Sequence, residues 1–542
     1  MKHLKKIMSL ILTAIMVIAM CVPVMAEETV DNNTQHPYKA YQIFSGTQTD
    51  SSSAALTQIV WANGVDGNAI VNDLISSYST KYPDLSQKAT ADEKAKYIAE
   101  VLEKNNSYAE EFARVVATHV VTANGISIAA DADKINLNPG YYLFVDQTTN
   151  PTDSKLEDVI GLSLLQITKN GDIVLNKKVD KPSVEKKVYE EKVTDATYGQ
   201  GYNDTADYNI GDDVPFKLIG TVVDMSKFDT YKYVFNDTLA ESLQLNENTV
   251  KVVVASSKNA NTEDSNVVTD ITANATIDKQ AHSLKVSFDN LKSINGVEQG
   301  KFIIVTYTAK LLKTAGIGQG NPANTNQVHL EYSNNPNQGG NGETGKTPDD
   351  KVIVFTYELD GTKVNAANKN EGLVNAIFIL YKNENNKKKY ARLDSNHKVD
   401  AWTETEKDAT PIESVAGGKF NVIGLDAGTY YLKETQAPSG YNPLADDVEI
   451  TISADTSNGQ TGSGLQTELT EINVGVKIGN TTTRGQGNPT TGKVPVQIEN
   501  SKGSTLPETG GIGTTIFYVV GVVLMLGAGV LLITKRRMSA KH

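Results

Sequence analysis

Cysteine is all but missing from this chain: Cys21 is the single one among 542 residues. It falls in a leading segment that reads as removable, so the mature protein is expected to hold no disulfide and must draw its stability from elsewhere. Histidine (7) and tryptophan (2) are scarce as well, and no His/Cys/Asp/Glu spacing suits a metal. No phosphate-cradling loop and no Ser/His/Asp set is visible, so neither a cofactor nor a turnover enzyme is expected. Basic charge is also in deficit. Of 51 Lys and Arg, seven lie in two acid-free ends (Lys2, Lys5, Lys6; Lys535, Arg536, Arg537, Lys541), which leaves 44 against 64 acidic residues, a net of −20. A body that acidic is not expected to bind nucleic acid or an anionic membrane, which recruit cations.

What is present is a globular composition, 39% hydrophobic and 21% charged, over a length that allows about three to five domains. The two basic ends flank segments of a different kind. Lys2, Lys5 and Lys6 precede an apolar run over 7–22, and Val24-Met25-Ala26 puts small residues at −3 and −1, so 1–26 reads as a secretory signal cleaved after Ala26. Met20 before Cys21 does not suit a lipoprotein anchor. At the other end, 516–533 is an uncharged stretch of 18 residues, long enough to span a bilayer, followed by Lys535-Arg536-Arg537 as a positive-inside stop. Before it stands Leu506-Pro507-Glu508-Thr509-Gly510, which Pro507 keeps out of helix. Pentapeptide, span and basic tail over 503–542 resemble the sorting signal of Gram-positive surface proteins. The resemblance implies that a sortase cysteine attacks the Thr509 carbonyl, releases Gly510, and passes the acyl group to an amine.

Between the ends, 27–176 reads as an α+β domain. Thr90-Ala91-Asp92-Glu93 is a capping box opening a helix with Tyr97, Ile98, Val101 and Leu102 on its apolar side. Ser107-Tyr108-Ala109-Glu110 reads as a second box, ahead of Phe112, Val115, Val116 and His119; His119 is expected to be a partly buried helix residue. A turn at Asn138-Pro139-Gly140 leads into a strand over 141–146. From about 180 the period changes to 2, with Asn/Gly/Asp turns, which predicts β-sandwiches. The Asn/Gly/Pro-rich 334–348 is the expected boundary between sandwiches at 182–348 and 349–502, with 177–181 as a linker.

Alternate residues of a strand share a face. Val184, Lys186 and Val188 share one; so do Tyr231, Tyr233, Phe235 and Asp237; and Asn326, Val328, Leu330 and Tyr332. In the next sandwich Tyr430, Leu432 and Glu434 share a face, as do Val494, Val496, Ile498 and Asn500, while an Asp360-Gly361 turn leaves the facing of Lys363 open. A lysine, an acid and an asparagine thus point toward apolar interiors twice. Burial drives a lysine and a carboxyl toward their neutral forms. A neutral amine beside an Asn carboxamide is a nucleophile, and a protonated acid can hydrogen-bond the carbonyl oxygen and shuttle protons to departing ammonia. The product is a Lys–Asn isopeptide crosslink tying the first and last strands of a sandwich. The alternative is strand-end polar groups with snorkelling lysines.

The segment Gly428-Thr429-Tyr430-Tyr431-Leu432-Lys433-Glu434-Thr435-Gln436-Ala437-Pro438-Ser439-Gly440-Tyr441 resembles the E-box of Gram-positive pilins and collagen-adhesin (Cna) B-type domains. Pro182-Ser183-Val184-Glu185-Lys186-Lys187-Val188 and Tyr332-Ser333-Asn334-Asn335-Pro336 resemble the middle domain of sortase-assembled backbone pilins. The resemblance implies tandem Ig-like (Cna A/B-type) β-sandwiches after an α+β domain, a mainly β chain. It implies Glu434 as the catalyst joining Lys363 to Asn500, and Asp237 as the one joining Lys186 to Asn326, with Glu331 and Asn324 as rivals in the middle domain. It also implies a donor lysine at the end of the first domain. There the chain has Val174-Leu175-Asn176-Lys177-Lys178-Val179, without the Tyr-Pro pair family members often carry. Alignment on the following strand selects Lys178, with Lys177 as runner-up. The implied partners are a pilus-specific sortase, further copies of the chain, minor tip and base pilins, peptidoglycan and host surface ligands. A wall-anchored adhesin that never polymerises is the competing expectation.

Overall fold

The structure, a computed structural model, describes residues 29–32, 36–48, 55–130, 132, 135–148, 161–167, 172–175, 181–190, 201–319, 324–336, 342, 344–456, 468–503 and 512–539. The leader 1–26, Lys177, Lys178 and Leu506-Pro507-Glu508-Thr509-Gly510 lie outside the described residues.

The first unit is α+β. A five-stranded sheet runs Leu56–Trp61, Tyr38–Gln48, Gly140–Asp146, Leu162–Ile167, with Ile126–Ile128 on the second strand. Helices Gly67–Ser77, Ala91–Lys104 and Ala109–Thr118 supply Ile70, Leu74, Ile98, Phe112 and Val116 to a core with Phe44 and Leu143. The capping box forms: Glu93 N–H donates to Thr90 Oγ1 at 3.2 Å and Thr90 N–H to Glu93 Oε2 at 3.0 Å. The box expected at Ser107 does not. A 3₁₀ turn Asn106–Tyr108 runs straight into the Ala109–Thr118 helix, whose N-cap is Tyr108, so no serine stands where its hydroxyl could accept. His119 is the C-cap of that helix, 2.6 Å from Asp73 Oδ2. Thr29–Asn32 pairs in parallel with Asp172–Leu175, bringing the end of this unit beside its start.

The second unit is a sandwich of two seven-stranded sheets. One runs Gly201–Asn203, Val184–Glu190, Asp213–Thr221, Phe302–Leu311, Lys251–Ala255, Val267–Asp270, with Leu243–Leu245 beside Phe302–Leu311. The other runs Thr205–Asp207, Asp350–Phe355, Thr325–Ser333, Tyr233–Leu239, Ser283–Phe288, Thr276–Gln280, with Thr344–Lys346 beside Thr325–Ser333. The expected boundary at 348 therefore falls before a strand of this unit. Asp350–Phe355 pairs with Thr325–Ser333, and the Asn/Gly/Pro-rich stretch before it is a connection inside the sandwich rather than a linker.

The third unit starts at Tyr357. Tyr357–Asn365 lies between Lys419–Leu425, antiparallel, and Lys493–Asn500, parallel. The facing sheet has eight strands: Val399–Thr403, Lys387–Leu393, Ile377–Glu384, Gly428–Gln436, Val448–Thr456, Leu469–Ile478 and Thr481–Gln486 in order, with Ile412–Glu413 beside Ile377–Glu384. Gly361 is not in a turn. It lies within the Tyr357–Asn365 strand, where a Cβ would come within 2.2 Å of the Phe420 ring. Glycine here makes room for an aromatic ring in the core, and the Asp-Gly pair imitates a turn. Helix Ile512–Ser539 carries the apolar span and is exposed throughout 516–539 except at a few positions.

The sandwiches meet at a buried acidic junction. Asp207, from the Thr205–Asp207 strand, accepts from Tyr357 Oη at 3.0 Å and packs with Asp426 and Glu190, while Asn209 Oδ1 accepts from Tyr430 Oη at 3.0 Å and Asp426 N–H at 3.3 Å. Burial, then the Asp426 and Glu190 carboxylates, hold the Asp207 carboxyl well above its ordinary range; the Tyr357 hydroxyl works against them. An acid raised in the folded state contributes stability that is fully present below its unfolded pKa and is lost as pH rises toward the folded one. Melting of the two sandwiches is thus expected to shift upward as pH falls from 7 to 5. Asp207→Asn should flatten that dependence and raise the melting temperature at pH 7, by about 2–4 °C per kcal/mol regained. Calorimetry of both proteins at the two pH values checks this.

Candidate functional site

In the middle sandwich Val188 and Lys186 alternate inward on the Val184–Glu190 strand, and Lys186 is fully buried. Its Nζ lies 2.7 Å from Asp237 Oδ1, which comes from the opposite sheet. It also lies 3.0 Å from Tyr307 Oη, and 5.4 Å from the ring centroids of Phe216 and Tyr307. Tyr307 donates to Asp237 Oδ2 at 2.5 Å and accepts from Asn326 Nδ2 at 2.7 Å. Asn326 is buried, and its Oδ1 has no hydrogen-bond partner among the described residues. Burial brings the Lys186 ammonium down to about 8, against the pull of Asp237. It also raises the Asp237 carboxyl, against Lys186 and Tyr307. The two shifts converge, so moving the proton from lysine to acid costs far less here than in water.

The rivals are occupied elsewhere. Asn324 Oδ1 accepts from Gly316 N–H, and its Nδ2 donates to Gly316 O and Val354 O, all at 2.9 Å. Glu331 faces the other side of its strand, 2.9 Å from both Lys232 Nζ and Thr344 Oγ1. The expectation of a first-to-last-strand tie does not hold in this unit. Thr344–Lys346 and Asp350–Phe355 follow the Asn326 strand, and Lys186 and Asn326 belong to opposite sheets.

In the third unit Lys363 and Asn500 lie on adjacent parallel strands, Lys363 opposite Ile498 and Asn500 two residues on, hence on the same face. They do occupy the first and last strands of this sandwich. Glu434 approaches from the facing sheet. Its Oε1 is 2.8 Å from Lys363 Nζ, with both side chains essentially without solvent contact. Its Oε2 accepts from Asn500 Nδ2 at 3.2 Å and Leu444 N–H at 2.8 Å. Lys363 Nζ lies 5.3 Å from the Phe378 ring centroid, and burial lowers its pKa against the pull of Glu434. Asn500 Nδ2 also donates to Asn442 O at 2.8 Å, and a carbonyl can only accept, so the carboxamide is held with its nitrogen toward the acid. Asn500 Oδ1 has no partner among the described residues. In both clusters the acid or its hydroxyl neighbour meets the amide nitrogen, the leaving group, and not the carbonyl oxygen as the sequence reading expects.

Two participants escape the sequence. Tyr307 is one of 23 tyrosines, and only the alternation Ile303, Val305, Tyr307, Ala309 on a buried strand could have turned attention to it. Asn442 contributes a backbone carbonyl, for which no residue type is diagnostic.

Two segments of the chain match family models: the SpaA prealbumin-like fold domain over 358–464 and the LPXTG cell wall anchor motif over 498–539. The second of these marks the C-terminal end as a cell wall anchor of the LPXTG kind. The chain is 26% identical over 356 residues to the trypsin-resistant surface T6 protein of Streptococcus pyogenes serotype M6, a match taking in 56% of this chain and 60% of that one, less than two thirds of the relative. Among solved structures it resembles the T6 backbone pilin of the same serotype (18% identity, 89% of this chain and 99% of that one, TM-score 0.48). It also resembles the group B streptococcus pilus 2b backbone protein (25%, 56% and 97%, TM-score 0.39). An anchor motif, a prealbumin-like domain and a partial likeness to the T6 surface protein are what the chain shares with these proteins.

Proposed function

We propose that the chain is the major subunit of a covalent pilus and that each of its two sandwiches closes one Lys–Asn isopeptide bond, Lys186–Asn326 through Asp237 and Lys363–Asn500 through Glu434. The observation that carries this is the pair of buried clusters, each holding a neutralisable lysine, an acid and a carboxamide whose oxygen lacks a partner among the described residues, in a chain that matches the wall anchor motif. In each, the acid takes the lysine proton, the free amine attacks the asparagine Cγ, and ammonia leaves with a proton routed from the acid. The reaction happens once per chain. The bond in the third unit joins the strands through which tension enters and leaves, so force bypasses the hydrogen-bonded sheet.

Outside the sandwiches, sortase would cleave at Thr509–Gly510 and join the Thr509 carboxyl to Lys178 of the next copy. Such head-to-tail contact does not close and therefore grows a filament. The last subunit would be passed to peptidoglycan, with minor pilins at tip and base and host surface ligands as further partners in adhesion. Wall extracts boiled in detergent test polymerisation: a ladder of high-mass species is expected, whereas a single monomer band would favour an adhesin that stays unpolymerised.

A further inference from the structure

The two clusters differ in one respect that the pilus reading leaves unexplained. In the third unit Glu434 reaches both reactants by itself, Oε1 to Lys363 Nζ and Oε2 to Asn500 Nδ2. In the middle unit the acid is an aspartate, shorter by one methylene. Asp237 touches Lys186, but no hydrogen bond joins it to Asn326 among the described residues; the gap is filled by Tyr307 Oη, which contacts Lys186 Nζ, Asp237 Oδ2 and Asn326 Nδ2 at once. We infer that Tyr307 is a catalytic residue of the middle crosslink, relaying the proton of Asp237 to the departing nitrogen of Asn326, so that aspartate plus tyrosine does the work of the glutamate next door. The inference rests on the isopeptide reading of that cluster.

The balance is as follows. Lys186 starts neutral, its proton on Asp237. Nζ attacks Cγ of Asn326, the Nζ–Cγ bond forms and the carbonyl π pair moves to Oδ1. As the pair returns, Cγ–Nδ2 breaks; Nδ2 takes the phenolic proton of Tyr307 while Oη takes the carboxyl proton of Asp237, and ammonia departs. The surplus proton on Nζ passes to the Asp237 carboxylate. Amine plus amide become amide plus ammonia, with phenol and acid restored. Tyr307 is placed for this by packing. Its ring lies 5.5 Å from Phe216, centroid to centroid, and burial, then the Asp237 charge, hold its hydroxyl well above the ordinary range, so it hands on a proton without resting as phenolate.

The test is Tyr307→Phe in the full wall-anchored chain, followed by pulse labelling, denaturation, proteolysis and mass mapping of both linked peptides. Phenylalanine keeps the ring packing and deletes only the hydroxyl. The Lys186–Asn326 linkage is expected to slow at least ~100-fold, the scale of a lost proton transfer, while Lys363–Asn500 in the same molecule forms at its native rate. Asp237→Glu on the Tyr307→Phe background, extending the acid by a methylene, is expected to recover most of the rate, which a purely structural role for the ring would not allow. A Tyr307→Phe chain that links Lys186 to Asn326 as fast as the native chain, or a double variant no faster than the single, would overturn the relay. A native chain in which Lys186 and Asn326 are never linked would instead overturn the isopeptide reading on which the relay rests.

Discussion

Glu434→Ala should leave Lys363 and Asn500 unjoined and should cost the third sandwich more stability than any other single change. Two terms add. The lysine loses the partner 2.8 Å away and stays in a solvent-free site beside Phe378; breaking a buried pair from one side typically costs about 3–5 kcal/mol. The covalent tie that would close the long loop from 363 to 500 is also lost, and by analogy with a disulfide over about 100 residues that is about 5 kcal/mol. At about 2–4 °C per kcal/mol, melting of the third unit should fall by roughly 20 °C or more, and trypsin should cut it under conditions the native protein resists. The Lys186–Asn326 linkage should persist, since Asp237 and Tyr307 stand on strands of the other sandwich. Calorimetry and mapping of the linked peptides read both effects. If the variant still carries a Lys363–Asn500 bond, Glu434 is not its catalyst.

Lys178→Ala should reduce the detergent-resistant ladder to monomer while leaving the subunit folded and attached to the wall. On the proposed reading, polymerisation and anchoring use the same acyl group at Thr509 but different amines: a subunit lysine for one, peptidoglycan for the other. Removing the subunit amine blocks only the first. Blotting wall extracts distinguishes the outcomes. A surviving ladder would point to Lys177 or another lysine.

Residue alternation made much of the two clusters legible. Lys186, Asp237, Asn326, Glu434 and Asn500 each continue an apolar face of period 2, and a polar residue breaking such a face is visible without coordinates. Lys363 was harder because Gly361 imitates a turn, although its lack of a side chain serves Phe420. Tyr307 was hidden for the opposite reason: a tyrosine on a buried face looks like ordinary core, and only its hydroxyl contacts distinguish it. The domain boundary was misplaced because polar, glycine-rich composition does not tell a stretch between sandwiches from one within a sandwich: Thr344–Lys346, inside 334–348, is a strand paired with Thr325–Ser333. The sheet membership of Asp350–Phe355 depends on its pairing with Thr325–Ser333, which no local pattern encodes. The choice between Asn324 and Asn326 likewise needed the hydrogen-bond partners, since Asn324 is as buried as Asn326 but fully satisfied.

The intact mass of the recombinant body, residues 27–503, bears most directly on whether the two clusters react. Each isopeptide bond expels one ammonia, and mapping the linked peptides separates that loss from succinimide formation at an Asn-Gly pair such as Asn295-Gly296. The expected value is the sequence mass less two ammonia molecules, with the linked peptides mapping to Lys186–Asn326 and Lys363–Asn500. A mass equal to that of the sequence would contradict both crosslinks.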